Sequence, residues 1–337
     1  MAGKSGRSIN NVPENPMKHI IFSWEGILVI LFILVNIFCA SFSEFYNLKS
    51  VLRQMPVYLA EVFMMFPMAY ILVLGEIDIS VGAIVCLSAT LSCMVCNTNA
   101  PFIVVVLTAL VVGALCGAVN GFILTRFKEL PPMIVTLATQ LIVYGILLMY
   151  IMLNGNNGQP LSGLDKSFKN FVTGSFLKIR GVPIPNYVWY ACVVVVFMWF
   201  MWNKTTFGKN MFAVGSNPEA ANVSGVNVMR TTILVHTLAG CMYGITGFIE
   251  SARIGSNQAN TGLNYECDAI AACVIGGVSF VGGTGKISGV VLGVFILRII
   301  FVALQFLAVS QNMQYVIKGL IILIACAIDM RKYLVRK

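Results

Sequence analysis

Long apolar runs alternate with short polar connections along almost the whole chain. The runs predict ten helical spans, at about 24–42, 57–74, 79–95, 101–124, 133–153, 187–202, 231–250, 265–281, 287–307 and 314–330. Each approaches the roughly 20 residues that carry a helix across a bilayer's hydrocarbon core. The expected fold class is all-α, a polytopic membrane helix bundle of about ten transmembrane helices. The segment before Trp24 is polar, and the first run lacks a small-residue cleavage site with a mature domain after it. It therefore reads as a retained span and not as a signal peptide.

Composition strengthens this picture and removes one class of function. Of 337 residues, 58% are apolar and 10% charged, against about 25% charged in an ordinary soluble domain. Too little polar surface exists to solvate a globule of this size, and the residues left outside the spans are too few for a separate catalytic domain. A soluble enzyme is excluded. The ten cysteines lie almost wholly in apolar stretches, where Cys behaves as a small hydrophobe. Cys93 and Cys96 form a lone CxxC without the second pair or the histidines that zinc needs.

The formal charge is +9, but the cations sit beside the apolar runs, so they read as topology signals and no nucleic-acid partner is expected. With the amino terminus in the cytoplasm, one side of the ten-span layout holds Lys4, Arg7, Lys18, Arg126, Lys128, Lys204, Lys209, Arg230, Lys286, Arg331, Lys332, Arg336 and Lys337. The other holds Lys49, Arg53, Lys166, Lys169, Lys178, Arg180 and Arg253, four of them in the longest loop. Short loops carry most of the orienting information, so both termini are predicted cytoplasmic and the number of spans even. The expected organisation is a cytoplasmic segment 1–23, a single transmembrane domain 24–330 and a basic cytoplasmic tail 331–337.

Two connections are long. The outer one, 154–186, is turn-rich, with Asn154, Gly155, Asn156, Asn157, Gly158 and Pro160, and would form part of a platform for an extracytoplasmic partner. The inner one, 203–228, carries a helix-start pattern from Asn217 through Pro218 and Glu219 to Ala220 and Ala221. A short cytoplasmic helix is expected there.

Helices in lipid associate mainly where small residues let backbones approach. Gly113, Gly117 and Gly121 recur at every fourth position, as do Gly285, Gly289 and Gly293, and Gly240 and Gly244 add a pair. These stripes predict tight bundle packing. The segment 75–82, GEIDISVG, leaves few residues to turn the chain. It is either a tight cytoplasmic turn with Glu76 and Asp78 in water, or a broken, partly unwound element that satisfies its backbone through Asp78, Ser80 and neighbouring helices. Glu61, Arg298 and Lys318, with His236 as a weaker case, lie within spans, where charge is costly. They would serve as a relay in an ion-coupled secondary transporter of a small polar solute, the alternative reading.

A phosphate-binding loop is missing. In Gly282-Gly283-Thr284-Gly285-Lys286-Ile287 the residue five before Gly285 is Phe280, and Ile287 stands where Ser or Thr would hold magnesium. If ATP drives this chain, another subunit hydrolyses it, and no catalytic residue or metal site is expected here.

The stretches GEIDISVGAIV at 75–85, TFGKNMFAVGSNPEAANVSGVNV at 206–228 and SARIGSNQANTGLNYECDAIAACVIGGVSFVGGTGKISGVVLG at 251–293 resemble the permease subunits of ribose-type and other simple-sugar ABC importers. The likeness covers most of the chain in the same order. It implies a multi-pass subunit of a bacterial inner membrane without an ATPase site of its own. The implied partners are ABC ATP-binding subunits holding ATP and Mg, a second permease copy or paralogue, and a periplasmic or lipid-anchored sugar-binding protein. The implied cargo is a sugar or sugar-like small molecule, moved inward by alternating access. Carried over residue by residue, Gly208, Ala213, Gly215, Asn217, Ala220, Ala221 and Gly225 match the cytoplasmic loop that docks on the ATPase, with Gly215 and Gly225 as the turns flanking its short helix. Glu76 departs from the pattern, standing where Gly is more usual before the Ile-Asp pair. Glu76, Asp78, Ser80 and Gly82 are the candidates for a broken, gating element. Asn120, Thr136, Thr139, Gln140, Tyr144 and Gln305 offer neutral hydrogen bonds along a cargo path.

Overall fold

The computed structural model describes residues 24–42, 46–153, 161–162 and 166–336. The polar segment 1–23 and the turn-rich Asn154, Gly155, Asn156, Asn157, Gly158 and Pro160 lie outside the described residues. Among the described residues, six helices are long and apolar enough to cross a membrane: α5 (Phe102–Arg126), α6 (Pro132–Leu153), α8 (Asn186–Lys204), α11 (Val228–Ile254), α13 (Ile287–Phe306) and α14 (Gln311–Arg336). The shorter apolar helices are α1 (Trp24–Phe42), α3 (Val62–Val73) and α4 (Val81–Asn97). α2 (Leu48–Leu59), α7 (Lys166–Thr173), α9 (Thr206–Ser216), α10 (Pro218–Val223) and α12 (Tyr265–Ile275) complete the helices. The result is an all-α polytopic bundle.

Two expected spans are broken. The run 57–74 is divided between α2 and α3 at Ala60 and Glu61, and the run 265–281 is helical only to Ile275, after which residues 276–286 are irregular. Positive φ at Gly277, Gly282 and Gly283 lets that backbone turn while Val278 stays buried. Irregular backbone is tolerated at such depth where protein surrounds it.

The centre is built from α3, α4 and α11. Every residue of α3 is buried, and α11 packs along the length of α5 and against α4 and α3. The contacts are made where the glycine stripes predicted. A Cβ on Gly113 would strike the Gly240 carbonyl, one on Gly117 the His236 carbonyl, and one on Gly244 the Ala109 carbonyl. Gly289 and Gly293 bring α13 against the carbonyls of Gly276 and Ala272 in the same way. Around this centre α5, α6 and α14 turn Leu115, Leu141, Met149 and Leu323 outward, the all-round apolar character of helices that face lipid.

At one end, two short antiparallel pairings close the long connection. β1 (Leu161–Ser162) pairs with β4 (Ser256–Asn257), and β2 (Leu177–Ile179) forms a hairpin with β3 (Val182–Ile184). The cysteines of the described residues are all free.

Candidate functional site

The chain leaves α3 through a Schellman ending: the Glu76 amide donates to the Ile71 carbonyl (3.2 Å) and the Gly75 amide to the Leu72 carbonyl (2.9 Å). Gly75 supplies the left-handed residue, with φ +80°. Residues 76–79 then follow without regular structure before α4 begins. Their backbone is satisfied from α6, because the Thr136 hydroxyl accepts from the Ile79 amide (3.1 Å) and lies 3.1 Å from the Ile77 carbonyl.

Neither carboxylate of this segment is a free group on a watery turn. Asp78 is 1% exposed, and its Oδ1 accepts from the Ser80 amide (2.8 Å) and the Ser80 hydroxyl (2.5 Å). Asn120 donates to the Ser80 oxygen (2.9 Å), and Thr139 donates to the Asn120 side-chain carbonyl (2.7 Å). A buried polar chain thus joins the unwound segment to α5 and α6. Glu76 reaches α11, with its Oε2 2.6 Å from His236 Nε2. Gly82 opens α4 where a side chain would strike the Gly262 carbonyl.

Asp78→Ala removes the acceptor of two hydrogen bonds and leaves the buried Ser80 amide and hydroxyl donors without it, a loss of about 3 kcal/mol. The expected result is a lower melting temperature and folded yield in detergent, with Asp78→Asn milder because it keeps an acceptor oxygen. An Asp78→Ala chain that melts with the wild type would show that the network holds nothing in place.

A second feature lies where α3 ends. α9 and α10 form a helical corner, and Gly215 of α9 presses on the Val73 carbonyl so closely that any Cβ would overlap it. The same carbonyl accepts from the Gly283 amide (2.8 Å), and Gly75 meets the Val281 carbonyl. Gly215 is therefore helical and close-packed, and the turn role expected for it is corrected. Gly225, with φ +86°, does make a turn. Gly208 is packed against the carbonyls of Met201 and Trp202, and Thr205 caps α9 by accepting from its amide (3.3 Å).

α10 starts as its sequence dictates: the Asn217 side chain accepts from the Ala220 amide (2.9 Å), Pro218 follows, and Glu219 lies in the first turn. Its two alanines part company. Ala221 is buried against the bundle, while Ala220 is exposed. Ala213 is half-buried in α9. Sequence reasoning missed Val223, 90% exposed as the last residue of α10. An apolar residue after a capped start was the available signal.

The third feature is at the far ends of the same elements. Arg298 Nη2 lies 2.6 Å from Glu61 Oε2 and 3.5 Å from Asp268 Oδ2, and Lys318 Nζ lies 2.6 Å from Asp268 Oδ1. The three span charges meet, and Asp268, which the sequence reading passed over, joins them. Each carboxylate thus faces a cation. The cluster walls a cavity of about 370 Å³ that also takes in Gln305.

The six neutral path candidates are therefore scattered. Asn120, Thr136 and Thr139 belong to the buried chain behind Asp78. Gln140 is half-buried, Tyr144 is exposed on α6, and Gln305 lies at the charged cavity.

Comparison with known proteins gives concordant matches. Residues 49–326 match the family described as branched-chain amino acid transport system / permease component. The chain is 39% identical over 327 residues to the galactose/methyl galactoside import permease protein MglC of Escherichia coli strain K12, covering 93% of this chain and 95% of that protein. It is 36% identical over 307 residues to the ribose import permease protein RbsC of Bacillus subtilis (90% and 91%), and 33% identical over 306 residues to RbsC of Escherichia coli strain K12 (90% and 92%). No solved structure matches the chain.

Proposed function

The chain belongs to the branched-chain amino acid transport system permease-component family, and from that premise we propose that it is the membrane-spanning subunit of an ABC importer for a sugar or sugar-like solute. The observation that carries this reading is α10. It is a capped helix that packs Ala221 on the bundle and leaves Ala220 and Val223 open, and Gly215 in the preceding helix ties it to the end of α3. A partner gripping α10 pushes, through backbone contacts alone, on Val73, on the unwound segment after Gly75 and on Gly283. The cargo class follows the relatives, whose names give galactose and ribose.

On this reading α10 faces the cytoplasm, the side that collects thirteen of the twenty cations outside spans in the ten-span layout. The grip comes from ATP-binding subunits, which hold ATP and Mg²⁺. The outer ends of α7, α8 and the β2–β3 hairpin, with Lys169, Lys178 and Arg180, face a periplasmic or lipid-anchored sugar-binding protein, and a second permease copy or paralogue completes the passage. Alternating access then requires that nucleotide and delivery protein each bind one state of the pair better than the other.

The test is uptake of labelled D-galactose and D-ribose into proteoliposomes. Import is expected with the chain, its ATPase, the delivery protein and ATP together, and not when any one is left out. A chain that concentrates either sugar alone under an imposed proton or sodium gradient overturns the proposal.

A further inference from the structure

We propose that the cavity walled by the Glu61–Arg298–Asp268–Lys318 cluster is a cargo subsite for a neutral polyhydroxylated molecule of monosaccharide size; this rests on the transport reading above. The four helices that meet there each span the distance between the cavity and the coupling corner. α3 starts beside Glu61 and ends at Val73, α12 starts at Tyr265 and ends at Ile275, and α13 runs from Ile287 back past Gln305. α14 begins at Gln311 and carries Asp329, whose carboxylate accepts from the Phe280 amide (2.9 Å), down to the irregular loop. With α3 about 18 Å long at 1.5 Å per residue, the cavity and α10 lie at opposite ends of one set of rods.

The wall chemistry selects the ligand. Its carboxylates and cations are held against each other within 3.5 Å, so each is already engaged by a wall partner before an ion arrives. What remains for a guest is hydrogen bonding from side chains that both donate and accept: Gln305, Gln311 and Gln314 line it, beside Tyr265, Phe301 and Tyr315. Hydroxyls of a sugar match the amides, and its C–H faces match the rings. Gln314 is already fixed by donating to the Val309 carbonyl (2.9 Å), and Lys318 sits 5.3 Å over Phe301 and 5.7 Å over Tyr315. The wall is thus ordered before a ligand arrives, which limits the entropy lost on binding. At about 370 Å³ the cavity falls at the small end of the ~300–1,000 Å³ range of small-molecule sites. Ionisable groups inside a membrane are expensive and mark functional positions by default, and here they are engaged with one another, which leaves the glutamines to a neutral guest.

The experiment is saturation-transfer NMR on the purified full chain in detergent. D-galactose is the probe, with sodium gluconate and glycine betaine as charged and zwitterionic controls. Transfer to galactose is expected for the wild type and for Val316→Ala, an exposed neighbour on α14. It should fall at least fivefold in Gln305→Leu and in Gln311→Leu, both exposed positions that tolerate an apolar residue, with little transfer to either control. Variants that keep the galactose signal, or a silent wild-type chain whose assembled complex still imports galactose, overturn the subsite and leave the transport reading standing. An assembled complex that imports neither galactose nor ribose overturns the transport reading instead.

Discussion

Ala220→Arg should leave the chain inserted, folded and normally expressed, and should reduce cargo-stimulated ATP turnover of the assembled complex to its unstimulated level. The first half follows from exposure. Ala220 points away from the bundle, Arg is a good helix former, and the cap from Asn217 uses the backbone amide, which the substitution keeps. The second half follows from the proposed contact. A partner that packs closely on Ala220 and Val223 would have to bury a long charged side chain without a counter-ion, and a tenfold loss needs only about 1.4 kcal/mol. Ala220→Ser, small and uncharged, should retain most of the stimulation. If the arginine variant is stimulated like the wild type, α10 is not where force enters.

Gly240→Leu should all but eliminate folded protein, cutting the monodisperse yield in detergent at least tenfold. The backbones of α5 and α11 touch at this position. A Cβ on Gly240 would overlap the Gly113 carbonyl, and one on Gly113 would overlap the Gly240 carbonyl. Overpacking ordinarily costs about 1–3 kcal/mol, but that range supposes side chains that yield. Here both neighbours are main chain, and helices in lipid have few other sources of attraction. Gly145→Leu on α6 is the matched control, since nothing lies within 4 Å of where its Cβ would be. It should fold like the wild type. Equal yields for the two leucine variants would remove close approach as the organising contact.

These two experiments also separate what could be read directly from what could not. The glycine spacing at 113, 117 and 121 announced a contact surface because small residues at every fourth position fall on one helix face. The partner, Gly240 with Gly244, was visible only as another stripe. The broken segment left two readings open, since GEIDISVG has the same composition in water as in a bundle. Burial of Asp78 and its bond to Ser80 depend on α5 and α6 arriving from residues 120–139. Apolar content marks depth but says nothing of backbone continuity, so the breaks at Ala60–Glu61 and after Ile275 passed as whole spans. Gly215 was assigned a turn because glycines often make them, yet its use is to let two chains touch. The meeting of Glu61, Asp268, Arg298 and Lys318 is a tertiary event across four helices, and no local pattern encodes it.

α11 runs 27 residues from Val228 to Ile254 without a proline. Asn227 caps its start a few residues from α10, and Asn257, just past its end, lies in the strand pairing with β1. Such a rod is about 40 Å long and transmits tilt in both directions. On the proposed assignment, thermodynamic reciprocity follows: by whatever factor docking of a loaded delivery protein outside tightens nucleotide binding inside, nucleotide must tighten that docking. A measurement made wholly on one face of the membrane therefore reports the state of the other.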